Sequence, residues 1–222
     1  MRQLALPLAP PPQPTLGNFV PGRNSEVLAL LSSLAGGDES ERFIYIWGSP
    51  GSGKTHLLRA MYSELCGRDV AAAMFRSDGS SWDRVPDHVV LVDDVEQLDA
   101  EAQVKLFNTY NTQRDGGGFL LAAGATPASR LPLRKDLVTR LGWGLVYQIH
   151  TLTDDEKKIA MTGHAHARGF SLSSEVIDYV LARQSRDLPG LLSLLEALDR
   201  YSLENKRAIT IPLVRELLSG QG

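Results

Sequence analysis

The run FIYIW at residues 43–47 is apolar at every position, as expected for a strand covered on both faces. A glycine-rich turn follows it. Then comes a helical pattern in which Leu57, Leu58, Met61 and Leu65 share one face and Gly67 offers a stop. Further along, the pattern predicts a short strand over residues 70–75 and a second buried strand over 89–92. A helix over 100–114 and strands over 119–123 and 145–149 come next. Strands alternating with helices predict an α/β domain with a mostly parallel sheet and helices on both sides. Beyond residue 150 the pattern is wholly helical. Thr153 and Glu156 form a T-x-x-E capping box that starts the first of these helices. Later helices are predicted over 173–184, 189–204 and 212–218. The expected organisation is a flexible tail over 1–14, an α/β domain over 15–150 and a small helical domain over 151–222, without internal repeats.

Composition changes this picture little. Of 222 residues, 43% are hydrophobic and 22% charged, an ordinary globular balance with ample material for a core. The net charge of -3 gives no global pull toward nucleic acid, so any DNA contact is expected to be indirect or weak. A single cysteine, Cys66, excludes an internal disulfide framework and fits a reducing cytoplasm. No apolar stretch reaches membrane-spanning length, and the short apolar run near the start is broken by Pro7. Residues 1–14 hold five of the twelve prolines and are expected to stay an exposed tail.

The chemistry begins directly after the FIYIW strand. Gly48-Ser49-Pro50-Gly51-Ser52-Gly53-Lys54-Thr55 matches G-x-x-x-x-G-K-[ST] at every fixed position. Glycines let the backbone turn so that its N–H groups converge on phosphate oxygens, and the following helix adds its positive end. Lys54 then serves the β- and γ-phosphates, and Thr55 is placed as a Mg2+ ligand. The run HVVLVDDVEQL ends a buried strand on Asp93 and Asp94, at the edge of an open parallel sheet where ligands bind. Asp93 is expected to hold magnesium through water, and Asp94 to polarise an attacking water. The cofactor reading is therefore ADP or ATP with Mg2+. His56 counts with the cofactor-contacting residues, in a structural rather than catalytic capacity. The five histidines show no metal-ligand spacing, and the three tryptophans are expected to pack in the core.

At this point the chain resembles the AAA+ ATPases and, within them, the family of the bacterial replication initiator DnaA. TLGNFVPGRN (15–24) is similar to the family's adenine-wrapping segment and implies base contacts from Phe19 and Val20. The phosphate loop, VLVDD and FNTYN (107–111) follow in the family's order. LVTRLGWGL (137–145) resembles the box carrying the arginine finger, which implies Arg140 as a catalytic residue acting in trans. SRDLPGLL (185–192) resembles the sensor-2 segment and implies Arg186 as a nucleotide contact, while RAITIPLVREL (207–217) resembles the end of the lid domain. The implied fold is an AAA+ P-loop NTPase core followed by a helical lid.

Three departures shape the functional expectation. No helix-turn-helix domain follows the lid before Gly222, and the loop between Phe75 and Val89 is short for the initiator's DNA-gripping helical insertion. At the sensor-1 position Ala123 and Gly124 replace a polar pair, which implies weak intrinsic ATPase turnover. A shortened homologue of this kind resembles the regulatory inactivators of DnaA, whose mark is a sliding-clamp motif near residue 1. Gln3-Leu4-Ala5-Leu6-Pro7-Leu8 matches its Q-L-x-L-P-L form. In such a peptide Leu4, Leu6, Pro7 and Leu8 supply apolar contact and low ordering entropy, and Gln3 supplies a hydrogen bond. The resemblance implies a cytoplasmic, replisome-associated regulator that binds the clamp and stimulates ATP hydrolysis by DnaA, with a homodimer as a further state. The alternatives are an autonomous ATPase, such as a helicase loader, and a non-catalytic clamp adaptor.

Overall fold

A computed structural model describes residues 13–38, 41–76, 88–183 and 187–219. They form two compact units, divided between Thr151 and Leu152. The first is built on five strands: β1 (Phe43–Trp47), β2 (Ala72–Phe75), β3 (Val89–Val92), β4 (Phe119–Gly124) and β5 (Leu145–Gln148). All pairings are parallel, in the order β2-β3-β4-β1-β5. The continuous apolar strands are explained by the two layers that cover them. Ile44, Ile46, Leu91 and Leu121 face α1 (Ser25–Ala35) and α2 (Lys54–Cys66). Tyr45, Val90, Val92 and Leu120 face the opposite layer, built from α3 (Ala100–Gly116) and α4 (Lys135–Leu141). Each large side chain so buried contributes roughly 1.5–3 kcal/mol of transfer energy.

Helix ends follow local chemistry. Asp99 caps α3 by accepting from the Ala102 N–H at 2.8 Å, and Gly117 closes it at φ +81°. Gly67 donates to the Ser63 carbonyl at 3.0 Å at the end of α2. The strand predicted from residue 70 begins at Ala72, because the chain first turns through Asp69 at φ +58°. Two helices, α1 and α4, have no counterpart in the pattern reading. The first is serine-rich on its solvent side, and the second is only seven residues long.

The second unit is the helical one, with α5 (Asp154–Ala167), α6 (Ser174–Arg183), α7 (Leu188–Asn205) and α8 (Ile211–Ser219). Its core gathers Met161, Val176, Val180, Leu191, Leu195, Leu198 and Val214. The capping box is complete: Thr153 Oγ1 accepts from the Glu156 N–H at 3.2 Å, and Glu156 Oε2 accepts from the Thr153 N–H at 2.7 Å. Asp187 caps α7 through the Gly190 N–H at 2.9 Å. Among the described residues no helix is long and apolar enough to cross a membrane.

Candidate nucleotide site and arginine face

The phosphate loop leaves the C-terminal end of β1. Gly48 anchors it to the neighbouring strand by donating to the Gly124 carbonyl at 3.2 Å, and a Cβ at Gly48 would overlap the Ile149 carbonyl. Gly51 (φ +77°) and Gly53 (φ +100°) adopt the left-handed backbone that the turn needs and that glycine alone adopts without strain. Gly53 is the N-cap of α2, so the loop ends on the positive end of a thirteen-residue helix. Lys54 is buried, and its ammonium donates to the carbonyls of Gly48 (2.7 Å) and Ser49 (3.3 Å). The Ser52 hydroxyl is buried without a hydrogen-bond partner.

The carboxylates meet this loop from β3. Asp93 is fully buried and accepts from Thr55 Oγ1 at 2.7 Å, so the two predicted magnesium ligands already touch. The other Asp93 oxygen accepts from the Asp94 N–H at 3.1 Å. Asp94 sits at φ +50°, a conformation uncommon outside glycine. Its carboxyl is pushed above the ordinary carboxylate range by burial first, then by the charges of Asp93 and Glu96, with Lys54 and Arg76 pulling the other way. The donor set fits a magnesium nucleotide: oxygen ligands from Thr55 and Asp93, a fixed ammonium and an unpartnered hydroxyl in the cradle. No cluster of three histidine, cysteine or acidic residues that could hold a metal by itself occurs among the described residues.

The opening segment lies over this loop. Thr15 and Asn18 exchange backbone-to-side-chain bonds of 2.9 and 3.1 Å, and the His56 ring reaches the Thr15 carbonyl at 3.0 Å. The Phe19 ring stands 5.5 Å from the His56 ring and occupies the space that a side chain at Gly53 would need. Val20 follows, half-buried. Asn24 ties the segment to the chain just past β5, donating to the His150 carbonyl at 2.9 Å and accepting from the His150 N–H at 2.7 Å. Pro50 is exposed at the loop's outer edge.

The end of β4 is not simply vacant of polar groups. A Cβ at Gly124 would overlap the Tyr45 hydroxyl and crowd Glu96. Tyr45 donates to the Thr126 carbonyl at 2.6 Å, its phenol held well above its usual range by burial and then by Glu96. Glu96 accepts from the Ala125 N–H at 3.2 Å. Sequence reading missed both residues; the glycine itself was the signal that something crowds the strand end.

Arg140 belongs to a different place. It lies in the last turn of α4, half-buried, with its guanidinium 4.3 Å from the Trp143 ring and 5.8 Å from both Phe107 and Tyr110. The Tyr110 ring in turn meets Phe43, the first residue of β1, at 4.4 Å. Five strand residues at about 3.3 Å each put this end of β1 on the order of 15 Å from the phosphate loop. No carboxylate lies within ion-pair distance of Arg140 among the described residues. Trp143 corrects the core-packing expectation: it is 62% exposed. Trp47 is packed as expected, and Trp82 lies outside the described residues. So do Arg186 and the tail residues Gln3, Leu4, Leu6, Pro7 and Leu8, and most of the short loop before Val89. A cavity of about 700 Å3 opens at the N-terminal edge of the sheet between the ends of α1 and α2, remote from the phosphate loop.

A five-stranded parallel sheet with this loop at the end of β1, acidic residues at the end of β3 and a separate helical unit defines an AAA+ nucleotide-binding protein. Residues 154–218 match the family model of the Hda lid domain. The chain is similar to domain III of the Thermotoga maritima replication initiation protein DnaA, with 22% identity, TM-score 0.74, and 95% of this chain and 98% of that one covered. It is also similar to AMPPCP-bound DnaA from Aquifex aeolicus (25% identity, TM-score 0.71, 88% and 68% covered). The Thermotoga maritima RuvB branch-migration motor shares the fold (20% identity, TM-score 0.66, 96% and 72% covered). The match over residues 154–218 is to the Hda lid domain, and the chain as a whole shares the AAA+ fold of DnaA.

Proposed function

We propose that this chain is a nucleotide-bound regulator of replication initiation that stimulates ATP hydrolysis by DnaA, offering Arg140 in trans to DnaA's nucleotide. The observation that carries the reading is the placement of Arg140. It stands at the opposite end of β1 from its own phosphate loop and has no carboxylate partner among the described residues. An arginine so placed cannot serve the chain's own phosphates, yet its guanidinium edges are open to an anion brought by another molecule. Such a finger stabilises charge on the transferring phosphoryl group and is worth on the order of 10³–10⁵ in rate.

The chain's own site would hold ADP or ATP with Mg2+. Bound there, the nucleotide supplies the phosphate chain that neutralises the cradle. Lys54, Ser52 and the loop N–H groups bind and orient it, Thr55 and Asp93 would ligate the metal, and Phe19 with Val20 covers the base. Arg186 would add a second cation from the lid. Residues 3–8 would tether the chain to the DNA-loaded sliding clamp and raise its concentration near DnaA without a strong direct contact. Contact with DNA would remain indirect, and a homodimer would use the same Arg140 face.

The test measures ATP hydrolysis by DnaA in the presence of DNA-loaded clamp and this chain in its ADP and ATP forms. Stimulation that is lost on deleting residues 1–9 and on Arg140→Ala is the expected result. No stimulation with either nucleotide would overturn it.

One observation favours a second reading, an autonomous ATPase such as a helicase loader. The Thr55–Asp93 contact, with Asp94 beside it and its carboxyl raised by burial, would suit hydrolysis by the chain itself. Sustained turnover by the chain alone, unaffected by loss of residues 1–9, would select it. A pure clamp adaptor would instead leave function intact in Arg140→Ala.

A further inference from the structure

The segment Arg140-Leu-Gly-Trp-Gly144 has a physical logic that a lone finger arginine does not require. Gly142 lets α4 stop, donating to the Val138 carbonyl at 3.1 Å. Trp143 N–H then donates to the Arg140 carbonyl at 3.2 Å, which folds the chain back so that the indole lies on the guanidinium. Gly144 passes so close to β1 that any Cβ would overlap the Phe43 carbonyl. Leu141 is buried beneath, while the indole stays outside the core. An exposed tryptophan that packs on a cation instead of the core has no evident role in holding the fold.

The neighbouring cations show what is unusual here. Arg134 lies over the same Phe107 ring but is paired with Asp136 at 2.7 Å. Arg114 is paired with Asp115 at 2.9 Å, and Lys105 with Glu101 at 2.7 Å. Arg140 alone of these is held only by aromatic rings, Trp143 on one side and Phe107 and Tyr110 of α3 at longer range. A carboxylate would occupy the N–H edges of a guanidinium and cancel its charge. An aromatic face holds it by its plane and leaves both the charge and the edges for an incoming phosphate.

We infer that Trp143 is the positioning residue for Arg140, fixing the plane of the guanidinium before the partner's phosphates arrive. The inference rests on Arg140 acting in trans as proposed above. A guanidinium freed from this wall samples other rotamers, and a misplacement of about 1 Å at a reacting centre can cost on the order of 10² in rate.

The experiment uses the full chain with Trp143→Leu, Trp143→Phe and Arg140→Ala, each checked for an unchanged thermal unfolding curve. Hydrolysis of DnaA-bound ATP is followed as the chain is titrated, separating the maximal rate from the half-stimulating concentration. Trp143→Leu is expected to lower the maximal rate about ten-fold with little change in half-stimulating concentration. Trp143→Phe, which keeps an aromatic face, is expected to recover most of it. The tryptophan emission of the unmodified chain is expected to shift in Arg140→Ala, because the guanidinium leaves the indole face. Two outcomes overturn the inference while leaving the finger intact: Trp143→Leu matching Trp143→Phe, or a change confined to half-stimulating concentration, which makes Trp143 a docking contact. An Arg140→Ala variant that stimulates normally removes the trans reading itself.

Discussion

The two ends of β1 solve opposite problems. At its C-terminal end the chain closes on itself: glycines turn the loop, Lys54 bonds to the carbonyls of Gly48 and Ser49, and Thr55 bonds to Asp93. At its N-terminal end Arg140 is held by rings that satisfy none of its N–H groups. Closed polar networks bind what the chain itself carries. An oriented cation without a counter-ion lowers the cost of meeting an anion from outside, since no existing pair has to be broken. In the function proposed above, one sheet separates a site for the chain's own nucleotide from a face directed at another's.

The largest expected effect breaks the second end alone. Arg140→Ala should reduce stimulated hydrolysis by about 10³ or more while nucleotide affinity of the chain, measured by equilibrium binding of labelled ADP, stays within error. Lys54→Ala should act at the other end. Nucleotide affinity should fall by about 10², since a buried charge is removed from its anion, and calorimetric titration with ADP checks it. Gly144→Ala should cost about 1–3 kcal/mol in urea unfolding, because the added Cβ must displace the start of β1.

The smallest effect is a pH dependence at Asp94. Its carboxyl is raised in the folded chain by burial and by Asp93 and Glu96, so the folded state holds the proton more tightly than the unfolded one. Stability from this group is then full below the ordinary aspartate pKa and is lost as pH rises through the raised value. Asp94→Asn, which also tolerates the positive φ, should be modestly more stable than the unmodified chain at neutral pH. The difference should vanish in acid, and urea unfolding across that range measures it.

Legibility from sequence follows the same division. Phosphate binding needs contiguous residues on one turn, so the loop from Gly48 to Thr55 could be read outright, as could the Thr153–Glu156 cap, whose bonds span three residues. The central strands β1, β3 and β4 were visible because strands buried on both faces are apolar throughout. What escaped depends on residues far apart in sequence. Tyr45, Glu96 and Gly124 come together from three different segments, and Trp143 meets Phe107 and Tyr110 only around Arg140. Periodicity reports burial within one element and carries no signal for such meetings. The exposure of Trp143 was misjudged for that reason, as tryptophan by itself argues for a core.

The most direct test of the trans claim loads DnaA alone with γ-labelled ATP and supplies this chain in its ADP form, with DNA-loaded clamp present. Only DnaA can then release labelled phosphate. Rapid release is expected with the unmodified chain and the unstimulated rate with Arg140→Ala. Equal release with both would contradict it.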